Sequence, residues 1–244
     1  MPGRLPTKND FSPAVSLSIT PPPPSQQPAN VLILLHGLGD TNASFEPLGQ
    51  QLSLPETACI AVQAPAALPF GLRGFHWGDD LVIDDNTGEM NVDTGFKASS
   101  KLILDEIIRK GLVGKCGYRP VEIMIFGFAQ GGMVALQAAA ELDGEELGGV
   151  ISIGGSLSLS TPLKALEKKS KTPILVCKGS RRSALSDSAV SRLKDAFAFV
   201  EVQEWKKTGD DMPSNRGEMF PIMDFFSRRL RSMRGVPAGS VELT

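Results

Sequence analysis

Residues 127–132 read Gly127-Phe128-Ala129-Gln130-Gly131-Gly132, the frame of a G-x-S-x-G turn with alanine at the serine position. In such a frame a serine hydroxyl attacks an acyl carbon, and nearby backbone N–H groups hold the oxyanion that develops. Alanine has no attacking atom. That chemistry also needs a general base within hydrogen-bond reach of the nucleophile, and the chain has two histidines, His36 and His76, with none after residue 76. His36 precedes the glycines of Leu34-Leu35-His36-Gly37-Leu38-Gly39-Asp40 and reads as a structural residue bonded to backbone. His76 sits in Gly74-Phe75-His76-Trp77-Gly78-Asp79.

The elements around the turn support the frame. Ile123-Met124-Ile125-Phe126 reads as a strand, and the alanine-rich run from Met133 reads as a strong helix. From residue 31 onward, short apolar runs alternate with helical spacing. Strands are predicted at 31–35, 59–62, 121–126, 149–153, 174–177 and 200–205, with helices at 97–110, 133–142, 186–199 and 218–231. Runs apolar almost throughout suit parallel strands covered on both faces. The predicted fold class is α/β, a mostly parallel sheet with helices on both sides. Residues 1–30 form a proline-rich arm around Pro21-Pro22-Pro23-Pro24, in which 14–19 can add an edge strand. Residues 31–234 form one domain, and 235–244 a disordered tail.

Composition excludes several function classes. Twenty-five basic against 27 acidic side chains give no electrostatic drive toward nucleic acid or an anionic membrane. No apolar run is long enough to span a bilayer. Cys59, Cys116 and Cys177 are odd in number and widely spaced, which fits a reduced, cytoplasmic chain and no metal site. The doublets Asp79-Asp80, Asp84-Asp85 and Asp210-Asp211 lack the spacing of a calcium loop and read as solvated loops.

His36-Gly37-Leu38-Gly39-Asp40-Thr41, the Ala64-Pro65 step, the pair Trp77 and Asp79, and Gly127-Phe128-x-Gln130-Gly131-Gly132-Met133 together resemble the phospholipase/carboxylesterase branch of the α/β-hydrolases, which includes the acyl-protein thioesterases. The resemblance spans about residues 29–231. It implies an eight-stranded sheet, a Ser-Asp-His triad and hydrolysis of carboxylic esters or acyl thioesters without a cofactor. It assigns the oxyanion-binding amides to Leu38 and Gln130.

Carried over by position, the triad is lost at all three places. The nucleophile falls on Ala129. The acid, three residues beyond the glycine of Cys177-Lys178-Gly179, falls on Arg182. The histidine, placed by the spacing of Gly209, Glu218 and Phe225, falls on Met212. The expectation is therefore a hydrolase fold without its catalysis, retained to bind an acyl or other apolar molecule, or a protein partner. Leu68, Phe70, Leu72, Phe75 and Trp77 are the candidate lining of the old cleft, with core packing as the competing role. The alternative is an active ester or thioester hydrolase of non-standard arrangement, for instance through His76. Arg182 is expected either to face Asp210 or Asp211 across the two loops or to lie solvated at the surface.

Overall fold

The structure, a computed structural model, describes residues 3–83, 88, 90–142, 144–163, 168–233 and 235. Seven strands make the main sheet: β1 Leu17–Thr20, β2 Asn30–Leu35, β3 Thr57–Val62, β4 Ile123–Phe128, β5 Gly149–Ile153, β6 Ile174–Arg181 and β7 Val200–Thr208. Their order is β1-β3-β2-β4-β5-β6-β7. All pairs are parallel except β1 against β3, where Leu17 stands opposite Val62. The strand reading from periodicity thus holds, with β6 and β7 running past their expected ends. The described residues place seven strands in this sheet where the resemblance implies eight.

Uninterrupted apolar strands make sense because the sheet is covered twice. Val31, Ile33 and Leu35 of β2 enter one core cluster, while Leu32 and Leu34 enter the other on the opposite face. Ile123 and Ile125 of β4 divide from Met124 and Phe126 in the same way. Alternate side chains of a strand point to opposite faces, so both sets must be apolar when both faces are dry.

Among the described residues, five α-helices flank the sheet: α1 Asn42–Leu52, α2 Lys97–Lys101, α3 Gln130–Glu141, α4 Asp187–Ala196 and α5 Arg216–Arg229. α2 continues into a π-helical segment, Leu102–Lys115, closed by the Cys116 N–H to Gly111 O bond. α1 was not expected. Pro47 lies inside it and only Phe45, Gly49 and Leu52 are buried, which leaves a faint periodic signal. Side chains cap two starts: Ser186 Oγ accepts from Ala189 N–H, and Asn215 Oδ1 accepts from Glu218 N–H. Two short ribbons, Ala66–Ala67 with Phe75–His76 and Val82–Ile83 with Met90–Asn91, lie between β3 and α2.

The arm residues pack onto this body. Phe11 is buried in the core, and Asp10 accepts from Arg4, which holds its carboxyl well below the usual range. The expected edge strand forms as β1. The expected tail at 235–244, Gly235 apart, and the Asp84-Asp85 doublet lie outside the described residues.

One close approach fixes α3 on the sheet. A Cβ on Gly131 would stand 2.4 Å from Leu35 O and 2.5 Å from His36 O. Gly131→Ala should therefore destabilise the protein by about 3 kcal/mol or more, since the opposing atoms are backbone. Urea unfolding monitored by circular dichroism checks this, and a midpoint unchanged from the parent would contradict it.

Candidate functional site at the elbow

Between β4 and α3 the chain turns on Ala129, whose φ of 48° and ψ of −116° lie where non-glycine residues rarely sit. Holding such a conformation costs about 1–3 kcal/mol, so its surroundings must impose it. Ala129 N–H donates to Ile153 O at 2.8 Å, and Ala129 O accepts from Met133 N–H at 3.1 Å. The strained elbow persists although its side chain is a methyl group.

Opposite the elbow, His36 organises the loop after β2. The ring is fully buried; Nε2 accepts from Ala64 N–H at 3.0 Å, and Nδ1 stands 2.8 Å from Gly37 O. Burial pushes its pKa down and keeps it neutral. An acceptor role for Nε2 puts the proton on Nδ1, where it donates to Gly37 O. His36 O in turn accepts from the Trp77 indole N–H at 2.8 Å. Its structural reading from sequence agrees with this geometry.

Gln130 links the same parts through its side chain. Oε1 accepts from Trp77 N–H at 2.8 Å, and Nε2 donates to Val92 O at 3.1 Å. Leu38 and Gln130 both border a cavity of about 640 Å³ that Ala129 also lines. Among the described residues, neither backbone N–H has a hydrogen-bond acceptor. Two unpaired donors beside an elbow can receive a carbonyl oxygen or an oxyanion.

The rest of the lining differs from expectation. Phe128, Met133, Leu157 and Ala189 supply apolar surface, and Asp93, Arg192, Asp210 and Asp211 supply charge. Leu68, Phe70, Leu72, Phe75 and Trp77 do not border this cavity. Trp77 is fully buried in the core, Phe70 is 86% exposed, and Leu68 lies by Gly39. The sequence placed them between the second strand and the Trp77 motif, but the Ala66–Ala67 and Phe75–His76 ribbon packs that segment on Gly39 and Asp40, outside the cavity lining. His76 is also buried and does not border the cavity.

The other two mapped positions are also apart from the cavity. Met212 is partly buried against the cluster on the α5 side of the sheet. Arg182 is exposed, at a positive φ of 52°, and pairs with no carboxylate among the described residues. Of the two expectations for Arg182, the solvated position holds, and the contact with Asp210 or Asp211 does not form. Asp210 does join the loops after β6 and β7, but through other donors: Gly179 N–H at 2.9 Å, Ala184 N–H at 2.8 Å and Ser183 Oγ at 3.1 Å. Backbone amides outcompete a long cation because they are already held in place and cost no side-chain entropy. Sequence reasoning missed Asp93 and Arg192. Asp93 accepts from Leu159 N–H at 2.9 Å and from Ser158 Oγ, and Arg192 donates to the carbonyls of Ser158, Leu159 and Thr161, contacts that no local spacing signals.

Comparison with known proteins bears on this geometry. The phospholipase/carboxylesterase family profile matches residues 21–228. A hydrolase of Schizosaccharomyces pombe, itself uncharacterised, is 32% identical over 207 residues, spanning 82% of this chain and 83% of the relative. Acyl-protein thioesterase 1 of Saccharomyces cerevisiae is 28% identical over 166 residues, or 61% of this chain and 68% of the relative. The crystal structure of esterase PE8 is similar in fold, with a TM-score of 0.67 at 21% identity over 88% of this chain and 99% of that one.

Two outcomes follow from the site. Asp210→Ala should cost about 1–3 kcal/mol by leaving three donors without their acceptor, whereas Arg182→Ala should change stability by less than about 0.5 kcal/mol. Thermal unfolding of both variants compares them, and equal losses would contradict the loop tie. For His36, the folded-state pKa is lowered, so the unfolded chain binds the proton first. Its stabilisation is present above about pH 6.5 and is lost as pH falls below it, with a slope of at most about 1.4 kcal/mol per pH unit. His36→Gln should flatten that acid limb in a denaturant–pH series.

Proposed function

This chain belongs to the phospholipase/carboxylesterase family, and from that premise we propose that it is a non-catalytic member that binds an acyl-bearing, largely apolar ligand in the cavity beside Ala129. The observation that carries this reading is the elbow itself. Its backbone keeps the strained turn and its cavity keeps two unpaired amide donors, while the residue at the apex has no nucleophilic atom. Neither histidine borders the cavity, so no imidazole stands beside the apex to act as a base. Binding and catalysis separate cleanly here: the cavity supplies apolar surface and a seat for a carbonyl oxygen, and the bond-breaking groups are missing.

We place the protein in the cytoplasm, a reading supported by three buried, unpaired cysteines. No helix among the described residues is long and apolar enough to cross a membrane.

The test combines activity with binding. The full chain should give no turnover of a short-chain chromogenic ester above a heat-denatured control and no labelling by a serine-reactive fluorophosphonate. Ala129→Ser alone should remain unlabelled, because no imidazole stands at the cavity to activate the hydroxyl. An environment-sensitive fluorescent acyl probe should bind the parent protein and lose at least about tenfold in affinity with Ala189→Trp, which fills the cavity from α4. Ester turnover abolished by His76→Ala would overturn the non-catalytic reading. Absence of acyl-probe binding would overturn the ligand.

A further inference from the structure

The two edges of the main sheet are finished differently. At one edge β1 is four residues long and runs into Pro21-Pro22-Pro23-Pro24, whose nitrogens carry no hydrogen. At the other edge β7 is nine residues long and contains neither proline nor glycine, and among the described residues it pairs on its inner side only, with β6. Ile174 N–H donates to Phe199 O, so along the regular stretch the backbone groups of Val200, Val202 and Glu204 face outward. The register shift against β6 comes after this stretch, beyond Gly179. Phe199 and Val202 add exposed apolar surface to the same edge.

Charge decides what such an edge can pair with. Val200 packs on the first core cluster, so Val202 and Glu204 share its face, where Glu204 stands 3.7 Å from the Lys178 ammonium. Trp205 and Lys207 lie on the opposite face, with the Lys207 ammonium 4.4 Å from the centre of the indole ring. Lys206, between them, falls on the Glu204 face and is exposed. One face of the edge therefore presents Val202, Glu204 and Lys206 in a row, an anion beside a cation.

A second copy turned about a two-fold axis normal to the sheet pairs antiparallel. Opposed side chains then share a face only where the axis passes through a residue, not between two. Centred on Glu204, the pair sets the two Glu204 carboxylates against each other. Centred on Gln203, it sets Glu204 against Val202 and Lys206 against Val200. Centred on Trp205, it sets each Glu204 against the Lys206 of the other copy. Like charges directly opposite disfavour pairing and unlike charges favour it, so the edge selects the last register.

We propose that β7 is a self-association edge, through which two copies of the chain join their sheets in an antiparallel pair centred on Trp205, with Glu204 of each copy against Lys206 of the other. No residue of Val200–Thr208 lines the elbow cavity, so this inference stands apart from the ligand-binding reading.

Sedimentation velocity of the full chain over a rising concentration series tests the edge. The parent should pass from monomer to dimer. Glu204→Lys and Lys206→Glu each place like charges opposite at two symmetric positions, and each should weaken the dimer by about tenfold or more while circular dichroism stays that of the parent. The double variant exchanges the charges and should dimerise like the parent. An equimolar mixture of the two single variants should also dimerise where each alone does not, because two lysines on one edge then face two glutamates on the other. A folding defect cannot produce that rescue. A parent monomeric throughout, single variants that dimerise as well as the parent, or a double variant and mixture that stay monomeric would each overturn the proposal.

Discussion

The constraint on which the site depends is the contact between the first turn of α3 and the carbonyl end of β2. Gly131 has no Cβ, so its backbone rests against Leu35 O at the end of β2 and His36 O, which the Trp77 indole N–H also holds. That contact brings the start of α3 beside the loop carrying Leu38, and it forces the chain through the positive φ of Ala129. Side chains then reinforce the arrangement. His36 closes its loop on Gly37 and Ala64, Trp77 caps His36 O, and Gln130 ties Trp77 to Val92. The result is a set of three loops locked by buried, satisfied polar groups, a network whose members lose their partners together.

None of these bonds involves a nucleophile. The steric demand at residue 129 is for a small side chain on a strained turn, and a methyl group meets it as well as a hydroxymethyl group does. Architecture and chemistry therefore separate at this position. No contact that stabilises the elbow needs a hydroxyl at residue 129, which explains how the turn, the loop and the cavity stay together around an alanine.

The fold was legible because the signals that set it are local. Val31, Ile33 and Leu35 serve one core and Leu32 and Leu34 the other, so the strand is apolar throughout and recognisable from its own residues. The elbow was legible from its strand-turn-helix spacing, with Gly127 crowded by Gly131 and Gly132 inside the unit, although Gly131 and Gly132 are also required by Leu35, His36 and Ser152 from other elements. The cavity lining was not. Arg192, Asp93 and Leu157 come from separate elements and converge only when the loops at one end of the sheet pack together. Leu68 and Phe70 stay outside that lining because adjacency to the Trp77 motif in sequence says nothing of the ribbon that packs their segment on Gly39 and Asp40. α1 was hidden by Pro47, whose cost to the helix is offset by burial of Phe45 and Leu52.

The loops after β6 and β7 show how a catalytic junction can become a structural one. In a triad these loops are joined by a carboxylate on the first and a histidine on the second, and the bond between them orients the base. Here the carboxylate comes from the second loop. Asp210 reaches back to Gly179, Ser183 and Ala184, and its accepting capacity goes into holding their amides and hydroxyl. With the junction closed this way, residue 182 has no inward role. A buried unpaired guanidinium would be costly there, and Arg182 lies in solvent instead. Met212 likewise turns from the cavity to the apolar cluster beneath α5. A serine at the elbow would therefore face a cavity that neither histidine borders, beside loops already tied together through Asp210.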